Sequence, residues 1–514
     1  MSKSGPFYAR LNIRWVATLL SILVTVLLIH KPKPLNYDFI IYYRAAQAFI
    51  EQGWHAAMGI YPWPFYSILI AQLSQWTHLS LLTSAYILSV IFFAAIVFFF
   101  MTLLRELGAS RFVEGVGVLV ILFTPVLNTF RLMLVRDSGY WAFYLLSLLF
   151  FIRYFRQLTW RYNLAWAISM SIALLFRMEA AVFLALAPLI VFARANITFK
   201  QRCLCVLKAY AVPAFFCCLI AIWLLTTNHH NHLGRLQQVA YEMRYGFVAL
   251  YQTIQQHAAA LAQSNVLSTW SVEYAHIFTI TGLIGIYCYI VFKTLSLYLV
   301  IVIYGIAQRV LHDEEGSVRV LWGFIIINVI LSLLFLGQNF FISNRYIFPL
   351  ILVFLLWVPF AIGRAYNNWK TQPRTTNLYK RSRVWLALLV LLFSVYTVGA
   401  CIYYFSKDSE SYVKAAGQWA QKTIPAQATI FTNEPRLIVY TGRKGLFPPF
   451  ELNFDRTQLD KNYHDTWSHY DYLMISLRND VATKEQALTA AVGHAPLRVF
   501  RYKDREVVVY TISH

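Results

Sequence analysis

Apolar runs, most of them near twenty residues long and separated by short polar or basic segments, repeat along most of the chain. A helix needs about 18 or more such residues to cross a hydrocarbon core of about 30 Å. The pattern predicts eleven spans, at 15–30, 76–104, 112–130, 139–154, 163–177, 179–194, 205–226, 276–305, 319–338, 345–365 and 384–405. Two longer polar stretches, 31–75 and 227–275, interrupt it. The second of these reads as surface helices with polar linkers. After residue 405 the pattern changes. Short strand-like runs appear: "ATIFT", "RLIVYTG", "YDYLMIS", "LRVFRY" and "EVVVYTI". Helical patterns occupy "DSESYVKAAGQWAQKTI" and "KEQALTAAV", and "FRYKDREVVVY" reads as a hairpin around Asp504. The expected fold is a polytopic α-helical membrane protein of about eleven transmembrane helices over 1–405. A small α/β domain at 406–514 follows it.

Composition agrees with a membrane chain. Of 514 residues, 59% are hydrophobic and 13% charged, too apolar for a soluble domain of this length. The net charge of +21 raises the question of nucleic acid, but its distribution points elsewhere. Alternate loops are basic. They carry Lys3, Arg10 and Arg14; Arg105 and Arg111; Arg153, Arg156 and Arg161; Arg194, Lys200 and Arg202; Arg309 and Arg319; then Arg364, Lys370, Arg374, Lys380, Arg381 and Arg383. A positive-inside bias explains this excess, so no nucleic-acid partner is expected. It places the N-terminus in the cytoplasm, and 31–75, 227–275 and 406–514 outside. Trp15–Ile29 lacks a following small-residue cleavage site and is expected to stay as the first helix.

Other candidate chemistry is thin. The six cysteines, Cys203, Cys205, Cys217, Cys218, Cys288 and Cys401, lie within or beside spans and read as packing residues. His229, His230 and His232 lack acidic or Cys partners at helical spacing and read as a solvated cluster. "YTGRKG" is too short for a phosphate-binding glycine loop.

The informative feature is a set of ionisable residues on one face. Asp38, Arg44 and Glu51 lie in the first outer stretch. Arg131, Arg136 and Asp137 lie in "FRLMLVRDSGYW", Arg177 and Glu179 in "LFRMEAA", and Arg345 opens the tenth span in "SNRYIFPL". Charges at spans are costly and mark candidate functional sites. Guanidinium forks suit phosphate oxygens, and a partly desolvated carboxylate suits a general base. Together they fit transfer of a sugar from a polyprenyl phosphate carrier to an acceptor hydroxyl.

The first outer stretch shows helical periodicity. Phe39, Tyr42, Tyr43, Ala46, Phe49 and Ile50 share one side, and Arg44, Gln47 and Glu51 the other. This predicts an interfacial amphipathic helix, with Asp38 as a candidate N-cap and Gly53 as the stop. "GIYPWPF" then supplies rigid turns with aromatics suited to the headgroup zone.

In order and sidedness these motifs resemble those of GT-C membrane glycosyltransferases. The likeness is to the bacterial branch related to protein O-mannosyltransferases and lipid A aminoarabinose transferases, of the family 39 type. "YDFIIYYRAAQAFIEQGW…YPWPFYSIL" resembles the family's first outer loop, "RDSGYWAFYLL" its second acidic loop, and "NRYIFPLILV" its late Arg-Tyr…Pro span opening. "LFRMEAAVFLALAPL" resembles its Arg-Pro-Glu turn, with Met178 in place of Pro. "WAQKTIPAQATIFTNEPRLIVYTGRKG" resembles the start of its small extracytoplasmic domain. The resemblance implies that Asp38 is the catalytic carboxylate and that Asp137 helps hold the site. It implies that Arg345, with Tyr346 beside it, sits near the donor phosphate. Phe39 stands where many members carry a second acid, so the protein mannosyltransferases match less well.

The expected reaction is a single inverting displacement. Asp38 and Asp137 are the catalytic candidates. Arg345, Arg136, Glu179, Arg44, Tyr346 and Arg131 are the donor-phosphate and substrate candidates. A divalent cation is a possible cofactor if Asp38, Asp137 and Glu179 converge. The expected partners are a polyprenyl-phosphate sugar, a glycan, lipid or protein acceptor, and the bilayer of the bacterial cytoplasmic membrane. A transporter or flippase is the alternative, although transporters usually place their sites near the midplane. A third reading is a non-enzymatic envelope assembly factor that binds through 406–514.

Overall fold

The computed structural model describes residues 12–30, 35–226, 235–264, 266–312, 316–371, 373, 377–406, 411–442, 467–478 and 480–512. Lys3, Arg10, Arg374, His229, His230, His232 and the end of "YTGRKG" lie outside the described residues.

In chain order the helices are α1 (Ile13–Ile29), α2 (Tyr37–Gln52), α3 (Trp54–Ile60), α4 (Phe65–Thr77), α5 (Leu81–Glu106), α6 (Arg111–Phe123) and α7 (Pro125–Arg131). Then come α8 (Asp137–Gln157), α9 (Trp160–Phe176), α10 (Ala180–Leu186), a 3-10 turn at Ala187–Ala193, α11 (Phe199–Thr226) and α12 (Arg235–Gln263). After them follow α13 (Ala275–Leu295), α14 (Tyr298–Ala307), α15 (Ser317–Asn339), α16 (Asn344–Leu355), α17 (Trp357–Thr371) and α18 (Asn377–Ser406). The C-terminal part holds α19 (Ser411–Thr423), β1 (Ile430–Thr432), α20 (Arg436–Thr441), β2 (Tyr472–Arg478), α21 (Val481–Val492), β3 (Arg498–Tyr502) and β4 (Arg505–Thr511).

Each expected span falls on a helix or a pair of consecutive helices. Five helical stretches are long and apolar enough to cross a membrane, or six if the bent pair α6–α7 is one span. The count of eleven is therefore not reached on length and apolarity among the described residues. The bend of 51° has a local cause. Pro125 donates no N–H, and Thr124 before it is extended, at φ −61° and ψ 116°. α8 is not among these stretches, for another reason. It is buried along most of its length, so protein surrounds it and its polar residues can be satisfied there.

The chain divides into two units. The first comprises 1–25, 89–131 and 136–405; the second comprises 26–88, 132–135 and 406–514. In the first unit, α8 packs on α9 so closely that a Cβ at Gly139 would meet the Phe176 ring at 2.4 Å. α12 approaches α15 in the same way, and a Cβ at Gly337 would meet Leu250 at 2.6 Å.

The second unit carries a four-stranded sheet of order β1-β2-β4-β3. β1 and β2 are parallel, while β2–β4 and the β3–β4 hairpin are antiparallel. Phe431, Leu473, Ile475, Leu477, Leu488, Val508 and Tyr510 form part of its core. One expected strand is a helix: "RLIVYTG" folds as α20. Pro435 sits in helical conformation ahead of it, and left-handed Gly442 closes it. An apolar run of this length suits either state, so the flanking Pro and Gly decide it.

α2 ends at Gly53 as expected, with φ 82°. Its N-cap is Asn36 rather than Asp38, which occupies the first turn. Two of the aromatics after it, Tyr61 and Tyr66, pack against α2. Tyr42 lies edge-on to both Tyr61 and Tyr66, with ring centroids 5.4 Å apart in each pair.

Candidate functional site

A cavity of about 660 Å³ lies within the first unit. Three segments bring its ionisable residues together. Arg136 is the N-cap of α8, Arg177 and Glu179 lie in the loop between α9 and α10, and Arg345 stands in the first turn of α16. Asp137, whose side chain is 3% exposed, opens α8 immediately behind the lining. A carboxylate in a first helical turn faces unpaired backbone N–H groups and the positive end of the helix dipole.

Arg177 is the centre of this set. Buried at 5% exposure, it donates one guanidinium nitrogen to Asp137 Oδ1 and the other to Glu179 Oε1. The guanidinium also lies over the Tyr346 ring, 4.5 Å from its centroid, and Tyr346 stacks on Phe335 at 4.1 Å. Arg345 Nη1 is 4.0 Å from the other Asp137 oxygen, and its side chain is 26% exposed.

The charges are mutually adjusted. Burial alone would lower the Arg177 guanidinium, but Glu179 and Asp137 hold it well above its ordinary value. Burial alone would raise the Glu179 carboxyl; the charge and hydrogen bond of Arg177, with Arg136 beyond, bring it down to about 2. Three guanidiniums thus face two carboxylates, leaving one excess positive charge. That balance suits an anion. Among the described residues no group of three or more His, Cys, Asp or Glu could hold a metal.

Much of the rest of the wall comes from α12 (Gly246, Phe247, Leu250, Thr253) and from α15. The stretch 227–275, expected as surface helices with linkers, contains one 29-residue helix that forms part of this wall. On α15, Asn328, Leu331, Ser332, Phe335 and Gln338 share one helical face. Asn328 donates to the Tyr144 hydroxyl at 2.7 Å.

Among the expected site residues, the cavity gathers Arg136, Glu179, Arg345 and Tyr346, with Asp137 at its edge. Arg131 is placed differently. It is 1% exposed and donates to Ser21 O at 3.2 Å, to Ser21 Oγ at 3.0 Å and to Thr25 Oγ1. Its guanidinium lies over Phe93, 5.1 Å from the centroid, so Arg131 ties α7 to α1. Asp38 and Arg44 belong to the second unit, on α2. Burial lowers the Arg44 guanidinium there. Sequence reading set Arg177 among the outer-face charges without giving it a catalytic or phosphate role, and it singled out neither Asn328 nor Ser332. Asn328 and Ser332 carried a usable signal: polar positions four apart inside an apolar span.

No protein-family model matches the chain, and no curated protein matches it in sequence. Solved structures do. ArnT from Cupriavidus metallidurans bound to undecaprenyl phosphate aligns at TM-score 0.55 and 12% identity, covering 97% of this chain and 98% of that one. The same protein in the apo state aligns at 0.54 and 11%, covering 96% and 97%. The archaeal oligosaccharyltransferase AglB from Archaeoglobus fulgidus, in complex with an inhibitory peptide and a dolichol-phosphate, aligns at 0.53 and 12%. It covers 95% of this chain and 72% of that one. The chain has the GT-C fold. The resemblance read from its motifs therefore holds at the level of the fold. Within that fold, the arginine-lined cavity is suited to an anion.

Proposed function

We propose that the protein is a GT-C glycosyltransferase that moves a sugar from a polyprenyl phosphate to an acceptor hydroxyl, outside the cytoplasmic membrane. The observation that carries this reading is the set of three guanidiniums, Arg136, Arg177 and Arg345, in one cavity of a GT-C fold. Two of the similar structures, ArnT and AglB, were solved with a polyprenyl phosphate bound, which supports the same ligand class here.

The chemistry explains the arginines. A polyprenyl phosphate sugar is a phosphodiester with one negative charge. When the acceptor oxygen bonds to the anomeric carbon, the bond from that carbon to the phosphate oxygen breaks. The electron pair stays on phosphate, which leaves as a monoester with a second negative charge. Donors fixed where that charge develops lower the barrier. Arg345, less buried than Arg177 and 4.0 Å from Asp137, is the candidate to meet it, with Arg136. Asp137 and Glu179 hold Arg177 in place and are positioning residues.

Asp38 is the candidate base that takes the acceptor proton; the motif resemblance supports this role. Inversion at the anomeric carbon follows from a single displacement. Purified protein incubated with undecaprenyl phosphate sugars tests the reading. Release of undecaprenyl phosphate coupled to acceptor glycosylation supports it. Vesicle uptake of the lipid without release would replace it with the transporter reading, and full activity in Asp38→Asn would remove Asp38 from the mechanism.

A further inference from the structure

α2 begins at Tyr37, one residue before Asp38, and its start is tied down within the second unit. Leu35 N donates to the Tyr440 hydroxyl at 3.0 Å. The Tyr37 hydroxyl donates to Glu434 Oε2 at 3.4 Å, and the Arg436 guanidinium lies over the Tyr37 ring, 5.2 Å from its centroid. Asn36 Oδ1 accepts from Leu134 N at 3.0 Å. Glu434, Arg436 and Tyr440 all come from the short stretch between β1 and the end of α20.

That stretch is itself fixed. Glu434 N donates to Thr432 Oγ1 at 3.0 Å. Arg436 grips Glu434 with two bonds of 2.7 Å, from Nε to Oε1 and from Nη2 to Oε2. Arg478 Nη2, on β2, lies 3.7 Å from the same carboxylate. Glu434 and Arg436 are 2% and 3% exposed. Gly417 lets α19 come against Tyr440, where any larger residue would meet Tyr440 Cβ at 2.4 Å. A buried ion pair adds little stability over an apolar pair of the same volume. This one instead offers a directed acceptor and a cation to a single tyrosine.

We infer that the α/β domain positions Asp38, through Glu434, Arg436 and Tyr440 holding Tyr37 and Leu35 just ahead of it. This rests on Asp38 being the base in the proposed reaction. The three are positioning residues. A base displaced by about 1 Å can cost on the order of a hundredfold in rate, while substrate binding elsewhere is untouched.

The test uses full-length protein in lipid nanodiscs, with Tyr37→Phe, Tyr440→Phe and their double variant, and Arg436→Lys as the charge-retaining variant. Hydrogen exchange reports the backbone. Release of undecaprenyl phosphate from undecaprenyl phosphate glucose, mannose and arabinose reports transfer. In the double variant, exchange at amides 38–42 is expected to rise at least tenfold (an order-of-magnitude expectation from loss of two hydrogen bonds, one buried and one part-buried), with β2 and β4 unchanged. The kcat is expected to fall roughly ten- to a hundredfold with the donor KM within about twofold, and Arg436→Lys to fall in between. Unchanged exchange overturns the inference, as does faster exchange with wild-type kcat. Wild-type protein that releases lipid from none of the donors overturns the functional reading instead, while the exchange arm still decides whether the domain holds α2.

Discussion

Arg177 donates to Asp137 from a loop 40 residues further along the chain. The pair exists because α8 and α9 lie close together at Gly139 and Phe176. Asp137 opens one helix and Arg177 follows the end of the next, so the hairpin geometry brings the two charges to the same level. Glu179, two residues on, takes the other nitrogen.

Removing Arg177 would leave the buried Asp137 carboxylate without its hydrogen-bonded guanidinium. Arg177→Gln is expected to destabilise the protein by roughly 3–5 kcal/mol, the cost of orphaning a buried charge. Asp137→Asn leaves Arg177 its Glu179 contact and is expected to cost less, about 1–2 kcal/mol. Thermal unfolding in detergent, run as a double-mutant cycle, checks both. Additive losses would show that the two residues do not act as a pair.

Arg345 should behave differently. Its side chain is 26% exposed and stands 4.0 Å from Asp137, so it contributes little to the fold. Arg345→Ala is expected to keep the wild-type melting temperature within a few degrees. It should weaken binding of undecaprenyl phosphate by about ten- to a hundredfold, the size of a lost charge-assisted contact. Arg345→Lys should recover part of that, since it keeps the charge but loses the fork. Ligand-induced shifts in melting temperature measure all three, and equal shifts in wild type and Arg345→Ala would exclude Arg345 from the phosphate site.

Much of this was legible in the sequence, and the failures have physical reasons. Apolar runs and loop charges marked the helical body, and three motifs marked Arg136, Asp137, Glu179 and Arg345. Sequence could not show that Arg177 is the residue the others meet. That follows from the α8–α9 approach at Gly139, a contact between positions far apart in the chain. Arg131 carried the same surface signal as Arg136 five residues later, yet it turns toward the hydroxyls of α1. Helical phase in the short α7 decides which way it points. α20 looked like a strand because a six-residue apolar run has no period of its own.

Glu179 gives the site a signature at acid pH. Its carboxyl falls from 4.5 in an ordinary environment to about 2 in the fold, so the unfolded chain binds the proton more readily. The stability it supplies is fully present above about pH 4.5 and is lost as pH falls toward 2. At most this amounts to roughly 3 kcal/mol. Other carboxylates titrate in the same range, so the informative quantity is the difference between wild type and Glu179→Gln. That difference in melting temperature is expected to shrink steadily from pH 5 to pH 3 (roughly the upper part of that window). Parallel curves would show that the ion pair contributes nothing to stability.

Arg131 offers the clearest separation of packing from substrate binding. Its hydrogen-bond partners, Ser21 and Thr25, are neutral, and two of its buried nitrogens, Nε and Nη2, make no hydrogen bond. A buried guanidinium held this way is costly, and an apolar side chain of similar length can replace it without leaving a charge behind. Arg131→Met is therefore expected to unfold within about 1 kcal/mol of wild type and to bind undecaprenyl phosphate as tightly. Arg131→Ala, which leaves a cavity between α1 and α7, should lose about 2–4 kcal/mol with lipid binding again retained. Loss of lipid binding in Arg131→Met at unchanged melting temperature would return Arg131 to the phosphate site that its sequence position suggested.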